Sequence, residues 1–241
     1  MTEHTSESGY YDNQPNPGGL VSSLSFRVRK RMFAAMMSIT GADERTAILD
    51  VGVTNDTRQE SNFLEKLYPY SERITAVGME DASFLQEQHP GVTYVRADGT
   101  NLPFRDKSFD LVTGFAVIEH VGSRANQRRF VRELCRVGRS CIITTPNRGY
   151  PMEVHTMMPF LHWLPPETHR KALRLLGKAF YAREENLNLL DAVTLRGMFP
   201  ESMTVSEHHH RLLGVVSNLF FYAQRPGAGC SPATGASRHV P

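Results

Sequence analysis

AILDVGVTND, residues 47–56, decides the fold. Ala47–Val51 is a short apolar run that stops at Gly52, and a run of that length bounded by turn residues reads as a buried strand. Working outward, a helix is expected from Ser61 to Tyr68, a strand at Ile74–Val77, a helix at Ala82–His89 and a strand at Val92–Arg96. Phe109–Phe115 reads as a fourth strand, Ala125–Arg136 as a helix and Ser140–Thr144 as a fifth strand stopped by Pro146. Alternation of strands and helices implies parallel pairing through right-handed crossovers. Met203–Glu207 and Ser217–Ala223 are two further strands with a short connection, hence an antiparallel pair. The expected fold class is α/β: a doubly wound, mainly parallel seven-stranded sheet with a terminal antiparallel hairpin.

Before the first strand, Leu24, Val28, Met32, Ala35, Met36 and Ile39 repeat at helical spacing from Ser23 to Thr40. Arg27, Arg29, Lys30 and Arg31 fill the rest of that helix and are read as a solvated face. Residues 1–20 are rich in Ser, Asn, Pro and Gly and are expected to be mobile, as is the tail 226–241. The main domain between them, 21–225, carries an insertion at 147–195, dense in Pro, Met and His and expected to cover the substrate. With 241 residues and a formal net charge of +2, the chain suits one large domain and gives no argument for nucleic acid. No apolar run is long enough to span a bilayer, and Met1–Tyr11 does not read as a signal peptide. Cys135, Cys141 and Cys230 lack metal-ligand spacing and read as small buried residues. The expected address is the cytoplasm, as a monomer or homodimer.

In an open α/β sheet the ligand lies at the carboxyl ends of the strands, where strand order reverses. The first strand ends in Asp50-Val51-Gly52, and Gly52 allows close backbone approach. Glu80 follows the second strand, where a carboxylate can accept two hydrogen bonds from ribose hydroxyls. Asp98 and Gly99 follow the third, where Asp98 can accept from an adenine amino group. Asp–x–Gly after one strand is a weak signal; the ordered set is a stronger one.

That ordered set resembles the class I S-adenosylmethionine-dependent methyltransferases, above all the small type 11 kind. Ile48–Asp56 resembles the first motif of that family, Ile74–Asp81 the acidic second, Val95–Phe104 and Ser108–Val121 the third and fourth, and Cys135–Asn147 the fifth. The resemblance implies S-adenosylmethionine as cofactor, with Asp50 and Gly52 at its methionine part, Glu80 at the ribose, Asp98 and Gly99 at the adenine, Phe115 and Ala116 on the sulfonium side, and Asp56 as a further polar contact from the first loop. The first loop departs from the family pattern D-x-G-x-G-x-G: only Gly52 remains, with Thr54 and Asp56 in place of glycines. A reshaped loop is expected, a catalytically dead fold being the alternative. Ser61–Phe63, Pro151–Pro165 and Glu185–Leu190 also resemble methyltransferases of glycan and cell-envelope pathways, which implies polysaccharide biosynthesis.

Glu119 and His120 stand just after the fourth strand, where the methyl group should emerge. Glu153 and His155 stand two apart on the insertion, on one side of an extended chain. Two converging Glu–His pairs can act as a general base, as ligands for Mg²⁺ or another divalent cation, or as both. Quinone O-methyltransferases that share the Glu–His step resemble this chain, but carry an acid where it has Ala116. The candidate catalytic residues are therefore His120, His155 and Glu119, and the candidate metal ligands Glu119, His120, Glu153 and His155. Phe160, Leu161 and Trp163 are expected to pack the insertion onto the sheet. The expected reaction is O-methylation of a sugar or glycan hydroxyl, with C- or O-methylation of a lipid- or quinone-type molecule as the alternative. A nicotinamide-binding protein is disfavoured because G-x-G-x-x-G is absent after the first strand.

Overall fold

The computed structural model describes residues 19–58 and 60–226. The mobile stretches expected at 1–20 and 226–241 lie outside these residues, except for Gly19 and Leu20 in the first helix and Pro226. Cys230 is likewise outside them.

The elements follow the order α1 (Gly19–Thr40), β1 (Ile48–Val51), α2 (Phe63–Leu67), β2 (Ile74–Gly78), α3 (Phe84–Gln88), β3 (Thr93–Arg96), β4 (Phe109–Phe115), α4 (Arg124–Val137) and β5 (Gly138–Pro146). The insertion supplies β6 (Met152–Glu153), β7 (Met158–Pro159) and α5 (Pro166–Leu175); then come α6 (Ala192–Arg196), β8 (Thr204–Glu207), β9 (His210–Leu212) and β10 (Val215–Gln224). The main sheet runs β3-β2-β1-β4-β5-β10-β8, with β9 also pairing β10, so it has eight strands. The expected seven are the through-going path. The eighth arises because ten-residue β10 pairs along its first half with β9 and along its second with β8. The β9–β10 turn, Leu213-Gly214, has both residues at positive φ (53° and 80°), as a tight primed turn requires.

β1 to β5 are parallel, and β10 is antiparallel to β5 and β8. Side chains alternate across the sheet with period two. Leu49, Val51, Val112 and Phe221 face α4 and α6, where Phe130, Leu134, Leu195 and Met198 cover them. Ile48, Leu111, Ile142 and Phe220 face the other layer, covered by Met32 and Met36 of α1, Phe63 and Leu64 of α2, and Leu85 of α3. Cys135 and Cys141 are buried in the first layer with sulfurs 3.6 Å apart.

The insertion has a small core of its own, built on Leu173, Tyr181, Leu187 and Leu189. Leu161 packs against it, but Phe160 and Trp163 do not pin the insertion to the sheet as expected. They are 55% and 50% exposed and meet edge-to-face at 4.9 Å. Phe160 sits at φ 60°, a left-handed turn position that throws its ring outward. Among the described residues no helix is long and apolar enough to cross a membrane.

Candidate active site

Strand order reverses between β1 and β4, and the loops after these two strands touch. Gly52, at φ 108°, lies under Val117; a Cβ there would stand 2.2 Å from a Val117 methyl. The N–H groups of Gly52 and Val53 both donate to the Val77 carbonyl, so the sheet uses them itself. The following loop is held by side chains where the family pattern has glycines. Asn62 Oδ1 accepts from the Thr54 N–H while its amide donates to the Thr54 and Asp56 carbonyls. The Asp56 carboxylate accepts from Arg58 N and Nε and from the Ser61 hydroxyl, and is thereby turned into its own loop. Burial opposes its ionisation, yet these donors hold it below the ordinary aspartate range.

Asp50 is buried at the end of β1, where Thr113 of β4 donates to it at 2.5 Å. Glu65 of α2 stands against it, also buried, with neither carboxyl oxygen otherwise partnered. Burial pushes Asp50 up to about 6; burial and the Asp50 charge push Glu65 well above its usual value. Both carboxyls are thus held above their ordinary range. Glu80, past β2, is half-buried, and its Oε2 is buried without a partner. Asp98 is exposed, with Oδ1 accepting from Thr100 N in a local turn. Gly99 is needed for packing, since a Cβ would meet the Phe130 ring at 2.8 Å. Phe115 is buried edge-to-face against Phe63, and Ala116 takes φ 58° in the turn that redirects the chain after β4.

The orphaned Glu80 oxygen leaves an acceptor of the kind a ribose hydroxyl would use. Glu80→Ala should then weaken S-adenosylhomocysteine binding by about 1.5–3 kcal/mol, the range for a hydrogen bond to a charged group. Calorimetry on the parent and variant checks this; equal affinities would remove Glu80 from the site.

Glu119, His120 and His155 come together. One ligand atom from each lies within 4.8 Å of the others, and the two imidazole rings meet edge-to-face at 4.9 Å. Glu119 and His120 sit on a single 3-10 turn, Ile118–His120, directly beyond β4. Thr145, near the end of β5, donates to Glu119 Oε2 at 2.9 Å, while Oε1 is buried without a hydrogen bond, 3.8 Å from His120 Nε2. The Asn186 carbonyl accepts from His120 Nδ1 at 2.8 Å. Those bonds direct both side chains toward the common space.

His155 arrives from the β6–β7 turn. Glu153 is placed differently from the alternating geometry expected of a strand: its carboxylate folds back to accept from His155 N, His155 Nδ1 (2.6 Å) and Thr156 N. It therefore stands behind His155 and is not among the three converging groups. Burial alone would lower His155, but the Glu153 hydrogen bond and charge, with Glu119 adding, raise it. His120 is pushed the other way by burial and by His155, down to about 3. Burial raises Glu119, opposed by His155 and Thr145. Two adjacent imidazoles thus have opposite tendencies: His155 suits a proton acceptor, His120 a neutral nitrogen donor.

Residues 49–140 match a family model described as a methyltransferase domain. Over that stretch the chain is similar to methyltransferase domains. A probable S-adenosylmethionine-dependent methyltransferase of Mycobacterium tuberculosis is 36% identical over 81 residues, which are 32% of this chain and 28% of that protein. The matched stretch is thus under a third of the curated relative. The PH0226 protein of Pyrococcus horikoshii has the same fold at 13% identity, with a TM-score of 0.56 over 88% of this chain and 93% of its own. Magnesium protoporphyrin IX methyltransferase of Synechocystis, solved with bound SAH, gives 0.55 at 12% identity over 90% and 94%.

Around the site, three contributors escape a reading of motifs. Arg29 of α1, read as part of a solvated face, reaches Phe63 at 5.4 Å, and its charge acts on Asp50, Glu119 and His155. Its signal was its place one position after Val28, on the edge of the apolar stripe. Glu65 sits among Phe63, Leu64 and Leu67 on a short helix whose buried side it shares, a charge where an apolar residue was due. Asn186 had no signal, since it lies 66 residues from His120.

The Asp50–Glu65 pair makes stability depend on pH. Both carboxyls are raised, so between the unfolded and folded values the native state holds a proton that the unfolded chain releases; stability is present at low pH and falls as pH rises. Thermal melts of the parent should show a falling midpoint from about pH 4 to about pH 7, and Glu65→Gln should flatten that slope and melt higher at the upper end. A Glu65→Gln curve parallel to the parent's would show that the pair does not share a proton.

Proposed function

We propose that the chain is an S-adenosylmethionine-dependent O-methyltransferase whose acceptor is a hydroxyl of a sugar or glycan. The convergence of Glu119, His120 and His155 beyond β4, beside Phe115 and Ala116, carries the reading. S-adenosylmethionine, when bound, supplies a methyl group already activated on a sulfonium. The protein's work is alignment, water exclusion and proton removal. His155 takes the hydroxyl proton at Nε2, since Nδ1 is committed to Glu153. Glu153 fixes the ring and stabilises the cation that forms, as a carboxylate behind a catalytic imidazole does. Thr145 and Asn186 hold Glu119 and His120 around the same space. The exposed Phe160–Trp163 pair suits the apolar face of a pyranose.

The donor set also fits a divalent cation: one carboxylate oxygen and two imidazole nitrogens, each with a second partner fixing its orientation. Oxygen and nitrogen donors without thiolate suit Mg²⁺ or Mn²⁺, which would supply Lewis acidity at the acceptor oxygen. A second reading of the acceptor, a lipid- or quinone-type molecule, is favoured by Val154 and Met157, which flank His155 and are about half exposed.

Transfer of tritiated methyl to a panel of oligosaccharides and quinols, with EDTA and with Mg²⁺ restored, tests these readings together. Oligosaccharide labelling is expected. Labelling of quinols alone would overturn the sugar acceptor, and undiminished labelling in EDTA would remove the cation and leave His155 as a simple base.

A further inference from the structure

Beside this site, on the far side of the Glu119–His120 turn, lies a second concavity that the methyl-transfer chemistry does not use. It is a small, partly open cleft between the N-terminus of α4 and the insertion. Arg124, Arg148 and Arg170 line it together with His162, His169 and Asn188. Three guanidiniums crowd there closely enough that burial and the charges of Arg148 and Arg170 lower the pKa of Arg124. Glu184 pairs with Arg170 at 3.4 Å, and the Asp191 carboxylate, which caps α6, acts on Arg124 and Arg148, so the cations outnumber the nearby carboxylates.

The donors are incompletely used. Among the described residues the Arg148 guanidinium reaches the His162 and Leu164 carbonyls, each at 3.4 Å, at the limit of a hydrogen bond. His162 is 2% exposed; its Nε2 bonds the Tyr150 carbonyl at 2.8 Å, while its Nδ1 is buried with no partner. His169 Nε2 is in the same state. A buried polar nitrogen without a partner costs free energy, and with Nε2–H committed to Tyr150 the His162 Nδ1 is an acceptor unless the ring takes a proton, so it meets a phosphoryl group only across a shared proton. The α4 N-terminus adds partial positive charge: Ser123 caps the helix at Asn126 N and Arg124 is its first residue. Planar guanidiniums over such a terminus match the geometry of phosphate oxygens.

We propose that this cleft binds a phosphoryl or pyrophosphoryl group carried by the acceptor, so that the substrate class is a phosphorylated, nucleotide-linked or lipid-linked sugar. The assignment of the group to the acceptor rests on the methyl-transfer reading above; the anion site itself does not. Position supports the link. Asn188 of the cleft wall donates its N–H to the Glu119 carbonyl at 2.8 Å, and Gln127, held by Arg124, donates to the Ile118 and Asn188 carbonyls. A phosphate bound here therefore rests against the turn that carries Glu119 and His120, and anchors one end of an acceptor whose hydroxyl lies on the other side.

The test is titration of the full chain with inorganic pyrophosphate, without donor, read by the imidazole resonances of His162 and His169. Both should shift with saturation, and saturating S-adenosylhomocysteine should leave the affinity unchanged. Arg148→Gln and Arg170→Gln should each weaken binding by at least ~10-fold, as loss of a charged hydrogen bond does, with Arg148→Lys in between. Phosphatidylcholine vesicles with and without phosphatidic acid form the second arm: binding to acidic vesicles through the same arginines would place the phosphoryl group on a lipid. Unmoved histidine resonances in both arms, displacement by S-adenosylhomocysteine, or glutamine variants that bind as the parent does would each overturn the site. Methyl transfer is measured separately on neutral oligosaccharides, so loss of anion binding and loss of transferase activity are distinguishable.

Discussion

Alanine at His155 should lower methyl-transfer turnover by about 10²-fold or more, the size expected for a general base, while S-adenosylhomocysteine affinity stays that of the parent. Two observations set the size. The ring is held by Glu153 at 2.6 Å, and Glu153 itself is kept ionised, down to about 2 against burial, by that bond and by the His155 and Thr156 N–H groups. The imidazole is therefore both oriented and biased toward accepting a proton. Removing it leaves Glu153 buried beside a vacancy, so the variant should also melt lower than the parent. Activity and folding are separated by adding free imidazole, which should restore part of the turnover without raising the melting point. His120→Ala should lower turnover to a similar degree without imidazole rescue, because it holds a fixed place between Asn186 and Glu119. Parent-like turnover in both variants would remove this cluster from catalysis.

Gly52→Ala should destabilise the fold and abolish donor binding. The added methyl meets Val117 at 2.2 Å, and φ 108° is a conformation that L side chains rarely adopt. Overpacking alone costs roughly 1–3 kcal/mol and a strained backbone a further ~1–3 kcal/mol. Relief by movement is limited, because the Gly52 and Val53 N–H groups are tied to Val77 and Val117 is a stiff β-branched residue. Val117→Ala in the same chain should recover the steric part and leave the backbone part. Denaturant melts of the two single variants and the double variant close the cycle. If Gly52→Ala matched the parent, the glycine would not be what brings the two loops together.

The sheet was legible because burial on both faces leaves a local mark. Strands 48–51, 74–78 and 109–115 are largely apolar runs of strand length, broken only by Asp50, Thr75, Gly78, Asp110, Thr113 and Gly114. Glu119 and His120 stood out as polar residues directly beyond a strand end, and the folded chain brings them to His155. The stitched loop after Gly52 was foreseen only in part: the missing glycines showed that it departs from the usual turn, but Asp56 serves Arg58 and Ser61 inside it. Periodicity reports which face a side chain takes, not the direction of a carboxylate in a turn. For that reason Glu153 was placed beside His155 in sequence, and only the folded hairpin set it behind the ring.

Alternation of apolar runs, helix spacing and the order of polar strand ends fixed a doubly wound sheet and the edge where chemistry belongs, all through interactions between near neighbours in the chain. The Asp50–Glu65 proton, the hold of Asn186 on His120, the inward turn of Arg29 and the arginine cleft were decided by tertiary structure alone. Each joins segments 15 to 90 residues apart or more by burying polar groups together, and partners chosen by mutual desolvation leave no period and no spacing in the sequence.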